Sequence, residues 1–262
     1  MISSDFRKEA REKLEGKWGK AALIMLVYTA IVIVFSYISQ HTTGLLNTLI
    51  SIAVCVVEVP LAYGLVISYM RLFDGQEVGA FDFFTLGFDN FKRSWVLAFR
   101  VVLKVLLPFI LVIVSYVLIG IGTAGALTSA LLDSSSKVTT GMAGIGVVGV
   151  ILAIVSYIWL IMKTYYYQLS QFVAIDNPAL SEKDSVEESR RLMEGKRWKL
   201  FCLQFSFIGW AILAALTFGI GLLWLAPYMQ LATISFYKHT LDKTEVKTEA
   251  PKEETPVEEV QE

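Results

Sequence analysis

The stretch AALIMLVYTAIVIVFSYIS, residues 21–39, holds no charged side chain, and Lys17-Trp18-Gly19-Lys20 stands directly before it. At about 1.5 Å of rise per helical residue, a block of this length covers about 30 Å, the thickness of a bilayer's hydrocarbon core. No A-x-A-like cleavage site follows, so the block reads as a retained membrane helix rather than a removed leader. Similar blocks occupy residues 45–69, 101–120, 141–162, 200–216 and 222–238. The last two are parted only by Thr217-Phe218-Gly219-Ile220-Gly221, where the glycines permit a tight turn. The whole chain is 55% hydrophobic and 18% charged, whereas soluble domains carry about 25% charged residues. The expectation is an all-α membrane protein, six transmembrane helices arranged as three hairpins.

Charge placement orients these helices. Of 23 lysines and arginines, Lys137 alone falls in a segment that alternation puts on the far side. Basic connections stay in the cytoplasm, so both termini are expected there. Cys55 and Cys202 lie within apolar blocks and read as small buried hydrophobes, not as a disulfide framework. The tail, residues 242–262, is rich in glutamate, lacks aromatic residues and is expected to be disordered and cytoplasmic.

A motif recurs along the chain. Lys13-Leu14-Glu15-Gly16-Lys17-Trp18-Gly19-Lys20 precedes the first span, and Arg191-Leu192-Met193-Glu194-Gly195-Lys196-Arg197-Trp198-Lys199 precedes the fifth. Asn90-Phe91-Lys92-Arg93-Ser94-Trp95 precedes the third, as a weaker copy. Each hairpin is therefore expected to follow a cytoplasmic amphipathic helix: residues 1–20, residues near 90–104 and residues 181–199. In the first, Ile2, Phe6, Ala10, Leu14 and Trp18 recur every four residues, leaving Arg7, Lys8, Arg11 and Glu12 on the polar side. The third opens with Ser181-x-x-Asp184, a capping-box spacing. Such helices are expected to lie in the inner interface, with tryptophan at headgroup depth and basic chains towards anionic lipid. The expected anchors are Lys17, Trp18, Lys20, Arg93, Trp95, Arg100, Lys196, Arg197, Trp198 and Lys199.

The opening Glu9-Ala10-Arg11…Leu14-x-Gly16-Lys17-Trp18-Gly19-Lys20 resembles that of an uncharacterised bacterial integral membrane family, domain of unknown function 975. So do Ser189-Arg190-Arg191-Leu192-Met193-Glu194-Gly195, Phe207-Ile208-Gly209-Trp210 and the block from Thr217 through Pro227-Tyr228. The resemblance covers the transmembrane domain, residues 21–241, and the opening helix, and stops at the tail. It implies a multi-pass bacterial plasma-membrane protein and carries no catalytic residues with it.

Glu58 is the one acidic residue inside an expected span. An ionised carboxylate at that depth costs several kcal/mol, so it is expected to face the bundle interior. Pro60 nearby, and Pro227 in the last span, break helical hydrogen bonding, as helices lining a cavity do. If the third span starts at Trp95, Lys104 is about 13 Å deep and Glu58 about 20 Å, close enough to pair. If 90–104 is interfacial, the basic face meets phosphates instead, and this version is preferred. The candidate intramembrane polar site is thus Glu58, Pro60, Tyr63, Lys104, Pro227 and Tyr228. A structural role for Glu58, protonated or bonded to Tyr63, carries equal weight. The glycines at 141, 144, 146 and 149 read as a close helix contact, and Tyr165, Tyr166 and Tyr167 as a boundary belt.

His41 and His239 fall on opposite sides of the expected membrane, G-x-S-x-G is absent, and Gly120-x-Gly122-x-x-Gly125 lacks the βαβ context of a nucleotide loop. No cofactor, metal or nucleic acid is expected. The leading expectation is a non-enzymatic protein that organises lipid or partner proteins at the inner leaflet; the alternative is a small-solute or ion transporter with a pathway past Glu58, Pro60 and Pro227.

Overall fold

The computed structural model describes residues 3–131 and 137–249, leaving aside the side chains of 137–140 and 243–249. The described residues form helices and no strand. In order these are α1 (Ser3–Leu14), α2 (Trp18–Gln40), α3 (Gly44–Phe73), α4 (Asp82–Asp89), α5 (Phe91–Leu131) and α6 (Lys137–Tyr167). They continue with α7 (Ser170–Asp176), α8 (Glu182–Met193), α9 (Arg197–Phe205), α10 (Ile208–Leu216) and α11 (Leu222–Glu249). The expected acidic tail begins inside α11, and residues 250–262 lie outside the described part.

Among the described residues, five stretches are long and apolar enough to cross a membrane: Trp18–Gln40, Gly44–Phe73, Phe91–Leu131, Gly141–Asp176 and Arg197–Leu216. The expected sixth span, 222–238, lies within α11, which is not among them. Gln230, Lys238 and His239 dilute its apolarity, and protein rather than lipid encloses it. Leu231, Ala232, Ile234, Phe236 and Tyr237 are all buried.

Packing is concentrated at one end of the molecule. The buried residues of α2 are confined to Ala21, Ala22 and Ile24, and those of α3 run only from Pro60 to Phe73. They join Phe6 and Leu14 of α1, Phe172 of α7, Met193 of α8, Leu203 of α9 and the middle of α11 in one cluster, the base. Each such side chain contributes roughly 1.5–3 kcal/mol by leaving water. Away from the base, Ile33, Val34 and Tyr37 of α2 and Leu45, Leu49 and Ile52 of α3 are exposed. Among the helices, α2 packs with α3, α5 with α6 and α10 with α11.

The pairs extend unequally. The ring of Trp18, the first residue of α2, lies 5.8 Å from that of Tyr228, and α2 and α11 pack side by side. Beyond that contact α2 continues for about 33 Å, whereas only about 9 Å of α11 remains before Leu222.

The recurring motif corresponds to one recurring turn. Both α1 and α8 are 12 residues long. Each ends at a glycine with positive φ, Gly16 at 74° and Gly195 at 70°. The backbone bonds match as well: Glu15 N–H to the Glu12 carbonyl and Lys17 N–H to that of Leu14 correspond to Glu194 with Arg191 and Lys196 with Met193. A glycine is needed because L side chains rarely adopt this φ. Ser181 caps α8 by accepting from the Asp184 N–H, as the spacing predicted.

The middle unit is built differently. No separate helix covers 90–104, because those residues run uninterrupted into the long helix α5. The short helix lies earlier, at α4, which packs against α3 through facing glycines. A Cβ on Gly64 would fall on the carbonyl oxygen of Phe83, and one on Gly87 on that of Pro60. The two backbones touch there. Within the α5–α6 pair Gly146 faces Gly122 and Gly149 faces Ile119, while Gly141 and Gly144 meet open space.

Candidate functional site

The expected intramembrane polar site does not assemble. Glu58 is exposed on α3 and makes no hydrogen bond or ion pair among the described residues. Tyr28 of α2 lies within electrostatic reach of it. Lys104 is exposed and does not meet it. The geometry of α5 explains why. Trp95 touches α3 at Val56, Leu97 belongs to the same buried cluster as Tyr63 and Ile67, and Lys104 stands about 13 Å beyond Trp95 along α5. Tyr63 is buried beside Arg93. Pro227 and Tyr228 stand elsewhere, with Tyr228 donating from its hydroxyl to the Arg7 carbonyl at 3.2 Å and packing edge-on against Phe207.

Pro60 has a different consequence. Lacking an N–H, it leaves the Val56 carbonyl four residues earlier without its helical donor. The indole N–H of Trp95 donates to that oxygen at 3.2 Å. Trp95 thus completes α3 rather than resting free among headgroups.

The expected anchors divide in the same way. Trp18 packs on Tyr228. Lys20 pairs with Glu77 at 2.7 Å and holds that carboxyl below the usual carboxylate range. Arg93 donates to the carbonyls of Asn177, Pro178 and Leu180, clamping the α7–α8 turn. Arg197 lies 4.1 Å from the centre of the Tyr166 ring, and Lys196 reaches the Thr240 carbonyl. Arg100 is half-buried, with its Nε unpartnered. Lys17 is half-buried, whereas Lys199 and Trp198 are exposed, Trp198 by 72%. The apolar faces of α1 and α8 are equally committed: Ala10, Leu14, Leu192 and Met193 are buried in the base. The tyrosine triplet likewise contacts protein, with Tyr165 donating to Gln204 at 2.7 Å and Tyr167 buried.

Two clusters escaped the sequence reading. In the first, Glu9 of α1 accepts from Ser235 and lies 2.9 Å from His239 Nε2, both on α11, while Lys238 bridges Asp176 and Asp74. These polar contacts fasten α1, α3 and α7 to α11. The second is a cavity of about 650 Å³ between α3, α5, α6, α7, α9 and α11. Gln168, Gln171, Gln204 and Gln230 line it with Thr164 and Thr233, against walls that include Phe172, Phe207 and Met229. Reading only charged residues as intramembrane signals passed these amides over, although Gln204 and Gln230 fall within expected spans. Glu58 lines none of the five principal cavities, and no metal-binding group of histidine, cysteine or carboxylate occurs among the described residues.

Long apolar helices joined at a packed base are those of a multi-pass helical membrane protein. The chain belongs to the family described as "Protein of unknown function (DUF975)", whose model matches residues 1–244. No curated protein and no solved structure matches the chain.

Proposed function

We propose that the protein is a non-enzymatic organiser of lipid or partner proteins at the inner leaflet of a bacterial plasma membrane, with both termini in the cytoplasm. The observation that carries this reading is the division between base and hairpins. The base consumes most polar and aromatic contacts, while the flanks of α2, α3, α5 and α6 remain exposed along much of their length. Contiguous apolar surface of this kind marks contact with lipid or another protein.

The topology is supported by chain ends that meet. Phe6 packs on Phe236 at 5.4 Å and Glu9 on His239, so α1 and the later half of α11 occupy one side. Hairpins that enter from the base and return to it satisfy this, and the basic residues near the base agree with a cytoplasmic side. A transport route past Glu58, Pro60 and Pro227 has no shared cavity to follow.

Anionic lipid would meet the free cations at the base rim. Lys20 and Lys196 are engaged in internal contacts, so Lys17, Trp198 and Lys199 form the informative set. At about 1 kcal/mol per lysine near an anionic surface, Lys17→Gln with Lys199→Gln should lower phosphatidylglycerol binding in native mass spectrometry more than tenfold. Unchanged binding would remove the lipid half of the proposal.

A further inference from the structure

We infer that the amide-lined cavity binds a neutral, two-chain glycerolipid with a free hydroxyl, of the diacylglycerol class. Three observations define the occupant. At about 650 Å³ the cavity has ligand-sized volume. Its polar lining is uncharged: no lysine, arginine, aspartate or glutamate contributes. A phosphate or ammonium group placed there would lose its hydration without gaining a counter-charge. A neutral head carries no such penalty.

The third observation is unused hydrogen-bonding capacity. The side-chain amides of Gln168, Gln171 and Gln230 make no hydrogen bond among the described residues. Gln204 spends its oxygen on the Tyr165 hydroxyl, leaving its NH2 group. Thr233 and Ser170 donate to the carbonyls of Met229 and Tyr167, so each hydroxyl oxygen remains able to accept. An amide offers both donors and an acceptor. This set suits a hydroxyl, which donates and accepts, together with two ester carbonyls, which only accept.

The surroundings select lipid over a soluble polyol. Val102, on the cavity wall, is half-exposed, and Leu103, Leu106 and Phe205 continue an exposed apolar surface beside it. Acyl chains leaving the cavity would follow that surface directly. Gln204 stands one turn before Phe207, whose ring packs on Tyr228, and Tyr228 lies against Trp18 at the start of α2. The amides therefore sit where the α2 stretch begins, the headgroup and ester zone of one leaflet. The inference stands whether or not partner proteins gather on the hairpins.

The test uses the full-length protein in detergent micelles and a diazirine-bearing diacylglycerol. Photolysis followed by peptide mapping is expected to label segments 164–171 and 226–233. Unlabelled diacylglycerol should compete, and phosphatidylglycerol and free glycerol at the same concentration should not. Gln168→Leu with Gln171→Leu and Gln230→Leu should reduce labelling at least tenfold. Ala226→Leu, a smaller change that fills the cavity, should reduce it severalfold and settles the matter if the triple variant does not fold. Equal competition by phosphatidylglycerol or glycerol, or undiminished labelling of a folded variant, overturns the assignment.

Discussion

Pro60 and Trp95 belong to different helices and share one carbonyl oxygen. Removing the Trp95 donor by Trp95→Phe leaves the Val56 carbonyl unsatisfied, which should cost about 1–3 kcal/mol. Pro60→Ala restores an N–H four residues on, so the same Trp95→Phe change should cost less in that background. Thermal melting of the four proteins of this cycle in detergent measures the coupling, and additive effects would deny the link. Glu77 provides a second residue-level check. Lys20 lowers its titration, so this contact stabilises the fold at neutral pH and fades as pH falls through the lowered carboxyl range. The melting difference between wild type and Glu77→Gln should shrink on acidification in step. Neither role was legible from spacing, since a tryptophan among basic residues looks the same whether it meets lipid or a distant carbonyl. Glu58 drew notice in the sequence as the one acidic residue of an expected span, but whether Lys104 could meet it depended on where α5 crosses α3.

Helices of this length were the most legible feature, because about twenty uncharged residues have few other soluble uses. The paired motif around Gly16 and Gly195 was legible too, and the structure explains it as one turn used twice. Gly16→Ala and Gly195→Ala should each cost about 1 kcal/mol from the left-handed backbone, since a Cβ there meets nothing within 4 Å. Gly64→Ala should be much more damaging, as its Cβ would meet the α4 backbone. Comparable melting losses for all three would contradict the close α3–α4 contact. That contact was hidden because α4 is too short and too aromatic to show a clear period. The reach of α11 belongs to this scale as well. Since only about 9 Å of it lies beyond Trp18, a cysteine at Phe218, which is fully exposed, should resist an impermeant maleimide applied to intact cells. A cysteine at Thr43 should react. Equal labelling of both would show that the third hairpin reaches the far surface.

At the level of the whole molecule, a hydrophobic base is fastened by a small set of polar contacts. Glu9, Lys238 and Arg93 tie α1, α3, α7 and α8 together at the base, and the apolar hairpins are left for the membrane. Periodicity pointed to a helix over residues 1–20 and a capping-box spacing to one over 181–199, both expected against lipid, because a 3.6-residue period is the same against lipid or protein. The central claim is that both chain ends share the cytoplasmic side. It is tested most directly by single cysteines at Ser4, Asp242 and Thr43 in a chain carrying Cys55→Ser and Cys202→Ser, labelled with an impermeant maleimide. The account predicts reaction at Thr43 in intact cells, and at Ser4 and Asp242 only after permeabilisation. Labelling of Ser4 or Asp242 from outside intact cells would contradict it.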